Sequence, residues 1–281
     1  MDLQLKNKRV LITGSSRGIG LTIALAFARE GAVPMLVARD RGNLDKAEQA
    51  FAQAGLPKPP AMLVDLSRSG SAEELRALAP DVDILVNNAG AIPGGSVEDV
   101  SEARWREAWE LKVFGYINLT RVYLPMMQAR GHGVICNIIG MAGAAPRADY
   151  ICGATGNAAL MAFTCAVGGD SMKHGVRVFG INPSPTRSDR MQGLLEQQAA
   201  KNWVTPRAGL NSPVSFRWGA WQNPARWRNS PSSAHPPFAA TSAAVSSTSM
   251  AVSCTPPRPN KKTKSCNNII SPNCAKVCAR S

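Results

Sequence analysis

The segment over residues 13–20 has the composition and spacing of a loop that binds phosphate groups. It reads Thr-Gly-Ser-Ser-Arg-Gly-Ile-Gly and precedes a helical pattern. Gly14 permits a tight turn, Gly18 lets the backbone approach a diphosphate, and Gly20 lets a helix pack closely on a strand. The N–H groups and the positive end of the dipole at the start of that helix attract phosphates. The predicted diphosphate site comprises Gly14, Ser16, Arg17, Gly18, Ile19 and Gly20.

A strand and a helix flank this glycine loop, which is the context that such a site requires. The apolar run at residues 10–12 precedes the loop, and residues 21–30 show helical apolar spacing that ends at Gly31. Apolar runs and helical patterns then alternate as far as residue 183. This order predicts an α/β fold, a Rossmann-type doubly wound parallel sheet in a single domain, with the ligand at the carboxyl ends of the strands.

The chain changes character near residue 203. All 19 acidic residues precede Gln197, whereas 11 of the 32 lysines and arginines follow it, so the formal net charge of +13 is mostly a property of the tail. The tail is rich in Pro, Ser and Ala without an apolar period, which is typical of a non-native or disordered segment. Its basic residues are scattered, so we expect no nucleic-acid partner. We divide the chain into a dinucleotide-binding domain over 1–203 and an aberrant basic low-complexity tail over 204–281.

Two motifs in the first domain carry a resemblance to a known family. The motif Thr13-Gly14-x₃-Gly18-Ile19-Gly20, and Asn-Asn-Ala-Gly at residues 87–90 after an apolar strand, are similar to the two signatures of the short-chain dehydrogenases/reductases. The resemblance, over residues 7–203, implies an NAD(P)-dependent oxidoreductase that transfers hydride between a nicotinamide cofactor and a small carbonyl-like or imine substrate. It also implies a homo-dimer or homo-tetramer, with an interface built largely from the segment that the tail replaces. The implied cofactor contacts are Asp65, Leu66, Asn88, Ala89, Gly90 and Pro183.

The end of the second predicted strand favours NADP over NAD. An NAD site places a carboxylate there to bond the ribose 2′-OH, but Ala38 and Arg39 occupy that place. Arg39 and Arg17 instead put two guanidinium groups where a 2′-phosphate would lie, and their planar forks suit phosphate. Asp40 keeps NAD possible.

The groups that this family uses for catalysis are missing from the aligned positions. The family binds its substrate carbonyl with a Ser and a Tyr, places a Lys four residues after the Tyr, and uses an Asn on a long helix. In the order Asn, Ser, Tyr and Lys, the aligned residues are Lys112, Gly140, Gly153 and Asn157. Tyr150, three residues before Gly153, is the nearest replacement for the general acid. An alternative with equal support is that Tyr150 packs its ring and leaves its hydroxyl in water.

Lys112 and Asn157 look as if the family's Asn and Lys had exchanged places between two helices. This exchange keeps a positive charge in the pocket. The alternative is that Lys112 snorkels to solvent. The loss of an acid/base group costs roughly 10²–10⁴-fold in rate, and the loss of an oxyanion donor about 10²–10³-fold. Either the reaction needs little acid assistance, or another group donates, or there is no turnover. The alternative function is therefore a non-catalytic dinucleotide-binding protein, a sensor or interaction module on the same fold.

The remaining patterns indicate a cytoplasmic protein without a metal site. Cys136, Cys152 and Cys165 lie in or near apolar runs and are interpreted as buried thiols of a reducing compartment. The tail cysteines lack paired metal-ligand spacing. We find no signal-peptide pattern, and we expect no run of roughly 18 apolar residues that would span a membrane.

The codons of the tail suggest a second explanation for its composition, namely a shift of the reading frame. When the reading frame is moved by one base, residues 241–252 and 216–230 become compatible with strings that are similar to the C-terminal part of the family. We predict that one G has been lost from a run of G at residues 203 and 204, and that resequencing of the gene will recover it. An unbroken frame that encodes the tail as it stands would contradict this prediction.

Overall fold

The computed structural model describes residues 2–183 and 249–252. The strands are β1 Arg9–Thr13, β2 Val33–Ala38, β3 Ala61–Leu63, β4 Ile84–Asn87, β5 Gly133–Ile138, β6 Val176–Pro183 and β7 Ser249–Val252. The helices are α1 Gly18–Arg29, α2 Arg41–Gln53, α3 Ser71–Leu78, α4 Glu102–Trp109, α5 Gly115–Arg130 and α6 Ile151–Ser171. A π-helical turn, Glu110–Phe114, joins α4 to α5, and 3₁₀ turns lie at Met141–Gly143 and Met172–His174.

The strands form one sheet in the order β3-β2-β1-β4-β5-β6-β7. Neighbouring strands from β3 to β6 are all parallel. The chain winds from β1 outwards through β2 and β3, and then returns to build the other half from β4. This confirms the predicted doubly wound sheet. The strand order reverses between β1 and β4, and folds of this kind bind their ligands at the carboxyl ends of the strands at that point.

The seventh strand departs from the expected all-parallel sheet. β7 pairs antiparallel with β6, with Gly180 opposite Val252 and Pro183 opposite Ser249. This strand belongs to the segment that we predicted to be non-native or disordered, so four of its residues take part in the sheet. An edge strand offers unpaired backbone groups to any extended segment, and antiparallel pairing needs no crossover helix. The predicted domain boundary at residues 203 and 204 lies outside the described residues.

Alternate residues of the strands pack into two separate apolar layers. On one face Leu11, Leu85 and Ile135 join the buried side chains of α3 and α5. On the other face Val10 and Ile12 join those of α1 and α2. Because a strand buried on both faces needs apolar residues at every position, its sequence becomes a continuous apolar run rather than an alternating one. The runs noted in the sequence therefore correspond to the central strands.

Helix α6 with its 3₁₀ extension, Ile151–His174, is long and apolar enough to cross a membrane by length and composition. Our expectation that the chain has no such run is therefore wrong for the residues that the structure describes. Its buried residues include Leu160, Thr164 and Gly168, and Gly168 lies against the β6 backbone. Packing of a core helix on the sheet explains the same composition.

The three cysteines of the first domain do not share one state. Cys136 and Cys152 are buried free thiols, as expected. Burial raises the pKa of the Cys136 thiol to about 12, so this side chain is an inert core residue. Cys165 is disulfide-bonded, and the expectation of a thiol at that position is therefore wrong.

The packing of α6 on β6 predicts opposite effects for two adjacent glycines. A Cβ on Gly168 would lie 2.5 Å from the carbonyl oxygen of Val178, whereas a Cβ on Gly169 would meet nothing within 4 Å. We expect Gly168→Ala to lower the free energy of unfolding by about 1–3 kcal/mol through overpacking. Gly169→Ala, the matched control, should raise it by up to about 1 kcal/mol through helix propensity. Urea unfolding of both variants measures the difference, and equal stabilities would contradict the close packing.

Candidate active site

Thr13, the last residue of β1, ties the glycine loop to the segment that follows β4. Its Oγ accepts hydrogen bonds from the backbone N–H groups of Asn88 at 2.9 Å and Ala89 at 3.0 Å. In return, the Asn88 Nδ2 donates to the carbonyl oxygens of Thr13 at 3.0 Å and Gly14 at 3.1 Å. Asn88 was predicted as a cofactor contact, and the structure gives its side chain a role in holding the loop. Thr13 was not among the predicted site residues.

The three motif glycines occupy places that differ in the space around them. A Cβ on Gly14 would lie 2.8 Å from the Ala89 Cα, and a Cβ on Gly20 would lie 2.4 Å from the Gly14 carbonyl oxygen. These two positions therefore admit no side chain. Gly18 has a φ of +55° and nothing within 4 Å of a Cβ position, so its backbone borders open space. The first and third glycines close the loop, and the second leaves room for a ligand.

The N-terminus of α1 has the properties of an anion site. The N-cap residue Arg17 makes no side-chain capping bond, and the first turn contains no acidic residue. Ser15 is occupied elsewhere, because its buried Oγ accepts from the Val37 N–H at 2.9 Å. Ser16, half-buried, and Arg17, exposed, border the loop. Helix N-termini of this kind bind phosphate through backbone N–H groups and the helix dipole, so the residues present fit the predicted diphosphate.

The carboxyl ends of β2 and β3 carry the residues predicted for the adenosine half of the cofactor. Arg39 is exposed, and its positive charge acts on Asp65. Asp40 caps α2, since its Oδ1 accepts the Asn43 N–H at 2.7 Å. Leu66, beside Asp65, is 7% exposed.

Asp65 is held in its ionised form. Its Oδ1 accepts from the Ser67 Oγ at 2.7 Å and from the Ser67 N–H at 3.0 Å. Burial, the largest single influence, raises the pKa of Asp65, but the Ser67 bonds together with the charges of Arg39 and Arg68 outweigh it and lower the pKa below its usual value. Asp65 therefore remains a hydrogen-bond acceptor at neutral pH.

Lys112 lies in the π-helical turn and is 8% exposed. Its Nζ donates to the carbonyl oxygen of Ile139 at 2.7 Å, and one turn further on the Tyr116 hydroxyl donates to that of Ile138 at 2.9 Å. A Cβ on Gly90 would lie 2.9 Å from the Lys112 Cδ, so the glycine makes room for the lysine stem. The alternative in which Lys112 snorkels to solvent is wrong. Its ammonium group reaches the end of β5 instead, from a type of turn that is frequent at functional sites.

Gly140 follows β5 in a conformation that only glycine adopts readily, with φ +131° and ψ 146°. A Cβ here would lie 3.0 Å from the Asn157 Nδ2. Asn157 is 3% exposed, and within the described residues its Oδ1 has no hydrogen-bond partner. The Gly140 N–H donates to the Asn182 Oδ1 at 3.3 Å. The structure thus places Asn157 beside Gly140 and the Lys112 ammonium at the preceding carbonyl, and it adds Asn182, which was not predicted.

Tyr150 is the N-cap residue of α6, and its ring lies over Gly153. A Cβ on Gly153 would lie 2.1 Å from the Tyr150 Cε1 and 2.6 Å from its hydroxyl oxygen. The loop is fastened to Gly95, whose N–H donates to Asp149 O at 2.8 Å and whose carbonyl accepts the Ile151 N–H at 3.4 Å. The half-buried ring packs against the cluster of Ile92, Val100, Ala108 and Cys152. The ring is therefore packed, as the structural alternative expected, and its hydroxyl lies beside the position aligned with the family's tyrosine.

The predicted residues thus form two groups at one edge of the sheet. The glycine loop, Asn88 and Ala89 form the first, and Lys112, Gly140 and Asn157 form the second. The contact between Gly90 and the Lys112 stem joins them. Pro183, half-buried, ends β6 at the same edge. Side chains with hydrogen-bonding capacity therefore surround the crevice where an α/β fold binds its ligand.

Comparison with known proteins identifies the class to which this arrangement is similar. Residues 8–199 match the model of the family described as short chain dehydrogenase. The uncharacterized oxidoreductase YvrD of Bacillus subtilis (strain 168) is 32% identical over 203 residues, which cover 71% of this chain and 76% of YvrD.

Two solved structures show the same fold with different cofactors. The L-sorbose reductase from Gluconobacter frateurii, complexed with NADPH and L-sorbose, has a TM-score of 0.65 and 31% identity, over 72% of this chain and 78% of its own. An NAD⁺-bound xylitol dehydrogenase has a TM-score of 0.65 and 25% identity, over 70% of this chain and 77% of its own. A nicotinamide cofactor is common to both, and the choice between NAD and NADP depends on residues of this chain.

The overlap at Gly153 predicts strong energetic coupling with Tyr150. In the natural background Gly153→Ala should lower the free energy of unfolding by about 1–3 kcal/mol, because the three heavy atoms nearest to the new Cβ belong to the Tyr150 side chain. In a Tyr150→Ala background the same change should be neutral or stabilising by up to about 1 kcal/mol, since alanine is the better helix former. Urea unfolding of the four proteins gives the double-mutant cycle. Gly169→Ala in both backgrounds is the control, and additive effects at Gly153 would show that the ring does not lie there.

Proposed function

The chain belongs to the short-chain dehydrogenase family, and from this membership we propose that it is an NADP(H)-dependent oxidoreductase for a small carbonyl-like or imine substrate, with an atypical catalytic centre. The observation that carries the proposal is the uncapped start of α1 beside the open space at Gly18. The open space at Gly18 leaves room for an anion beside the N–H groups of this helix start. Because the chain belongs to a family of dinucleotide-dependent enzymes, we take this anion to be the diphosphate of a dinucleotide.

The chain offers contacts along the whole length of such a cofactor. The N–H groups of Gly18, Ile19 and Gly20 and the side chain of Arg17 would hold the diphosphate. Asp65 and Leu66 would border the adenine, and Ala89, Gly90 and Pro183 the remainder. When bound, the nicotinamide supplies or accepts the hydride, and the protein contributes placement and proton handling.

Two side chains after β2 support NADP over NAD. Arg39 is exposed at the position where a 2′-phosphate would need a partner, and the guanidinium fork suits phosphate oxygens. Asp40, which would otherwise favour the ribose 2′-OH, uses one carboxylate oxygen to cap α2 through the Asn43 N–H. A helix cap of this kind stabilises by typically about 1 kcal/mol, which would be lost if Asp40 turned to a ribose.

The centre keeps a positive charge although the family's lysine position holds Asn157. The Lys112 ammonium is bonded to the carbonyl oxygen of Ile139, the residue before Gly140. From there it can stabilise negative charge that develops on a substrate oxygen. Tyr150 is the candidate proton donor. Substrates that need little proton donation, such as activated ketones and imines, suit this set of groups best.

A second function is supported by the two glycines themselves. Residues 140 and 153 cannot take a side chain without movement of Asn157 or Tyr150, respectively. The positions aligned with the family's Ser and Tyr are therefore committed to other contacts, as expected in a non-catalytic dinucleotide-binding protein. Such a protein would use the same α1 site to sense the cofactor or to bind a partner.

The proposal predicts that Arg39 discriminates between the two cofactors. We expect Arg39→Ala to weaken NADPH binding roughly 10–100-fold, the loss of one charge-assisted contact, and to leave NADH binding unchanged. Fluorescence titration of both nucleotides measures this. Arg41→Ala is the matched control, because it removes a nearby charge that already pairs with Asp45 and Glu48. Equal losses for NADPH and NADH, or none, would contradict the NADP assignment.

The same preparations decide between the two functions. NADPH oxidation is followed against a panel of carbonyl and imine compounds, with the chain as it stands and with the reading frame restored at residues 203 and 204. Turnover that falls about 10²-fold or more in Tyr150→Phe supports the oxidoreductase with this proton donor. Tight NADPH binding without turnover in either frame supports the non-catalytic protein.

A further inference from the structure

Asn182, the penultimate residue of β6, lies at the candidate centre although no role was predicted for it. It is 2% exposed, and its Oδ1 accepts the N–H of Gly140, 42 residues away, at 3.3 Å. A buried amide side chain is retained at little cost only when it is hydrogen-bonded. The place of Asn182 in the core is therefore linked to the conformation of Gly140.

The peptide between Ile139 and Gly140 is held on both sides. The Lys112 ammonium donates to its carbonyl oxygen at 2.7 Å, and Asn182 accepts from its N–H group. A peptide unit is planar and conjugated, so a cation at the oxygen and an acceptor at the nitrogen polarise it in the same direction. The two bonds therefore strengthen each other in a buried setting.

The backbone at Gly140 needs such support. Because glycine has no Cβ, it adopts positive φ about as readily as negative φ, so local sterics do not select the observed φ of +131°. The direction of the Ile139 carbonyl, and hence the place of the lysine ammonium, is determined by contacts from other elements. Asn182 supplies the contact from β6, on the side of the peptide opposite to Lys112.

We propose that Asn182 is a positioning residue, which fixes the Ile139–Gly140 peptide and through it holds the Lys112 ammonium at the reaction centre. The inference rests on the proposed function in one respect, namely that this end of β5 is the reaction centre. The hydrogen-bond arrangement itself can be tested without cofactor or substrate.

The test is the rate at which Lys112 is methylated by formaldehyde and a borohydride reagent, followed by peptide mass spectrometry on the full chain. Asn182→Leu removes the acceptor, and we expect the rate to rise about fivefold or more, the change in a local opening equilibrium when one ordinary hydrogen bond is lost. Asn182→Asp keeps an acceptor oxygen for the Gly140 N–H and should label no faster than the natural protein. A rate in Asn182→Asp as high as in Asn182→Leu would overturn the proposal.

Thr164→Val is the matched control, because it removes another buried polar group of the same region. The Thr164 hydroxyl bonds Asn137 and the Leu160 carbonyl and does not contact Gly140. If Asn182→Leu labels only as fast as Thr164→Val, Asn182 has a structural role alone and the proposal fails. If Asn182→Leu does not fold, the Asn182→Asp rate still decides, since a rise there contradicts positioning and an unchanged or slower rate supports it.

Kinetics give a second and separate readout. In any preparation that turns over, Asn182→Leu should lower kcat by a larger factor than it raises the KM for NADPH, because the proposed diphosphate contacts lie at α1 and only Pro183 among the proposed cofactor contacts adjoins Asn182. An increase in that KM with unchanged kcat would contradict the positioning role. Absence of turnover would remove only the oxidoreductase proposal, since the labelling result depends on neither cofactor nor substrate.

Discussion

The hydroxyl of Thr13 is the constraint on which the candidate site depends. It accepts from two consecutive N–H groups after β4 and donates to the Val86 carbonyl at 3.4 Å, so one small side chain joins the ends of the two strands at the centre of the fold. Asn88 completes the junction from the other side, and its Nδ2 would lie 2.5 Å from a Cβ on Gly20. Loop, strand end and helix start are thereby closed into one unit. The start of α1 has no side-chain cap, and Gly18 borders open space, which are the properties that suit an anion.

At the candidate centre, larger neighbouring side chains lie close to three glycines. The Tyr150 ring occupies the space above Gly153, the Asn157 amide faces Gly140, and the Lys112 stem passes Gly90. Each of these glycines lies against a large or polar neighbour. Restoring one family residue alone would therefore add a clash before it added a catalytic group. This close packing is typical of protein interiors, where a change of volume is felt by the surrounding residues.

What the sequence predicted well is what local patterns determine. The glycine motif and the apolar runs fix a strand, a turn and a helix within 20 residues, and the alternation of elements then leads to the doubly wound sheet. The details that could not be predicted depend on distant partners. The loop that carries Tyr150 is held by backbone hydrogen bonds to Gly95, and Asn182 is involved in the site only because its side chain accepts from the Gly140 N–H. The antiparallel direction of β7 depends on an exposed sheet edge, which carries no signal in the sequence of the strand.

Lys112 lies at a different place from the lysine that the resemblance implies. The family's lysine projects from the helix that corresponds to α6, whereas Lys112 arrives from the π-helical turn before α5 and is bonded to the Ile139 carbonyl. A cation fixed in this way keeps a positive potential at the end of β5, which lowers the energy of a developing oxyanion. The bond to the Ile139 carbonyl engages one of the three N–H donors of this ammonium group. In the function proposed above, Lys112 supplies electrostatic stabilisation and Tyr150 donates the proton, two roles that the family's Tyr and Lys share. The reactions best matched to this division are those in which charge stabilisation matters more than proton transfer.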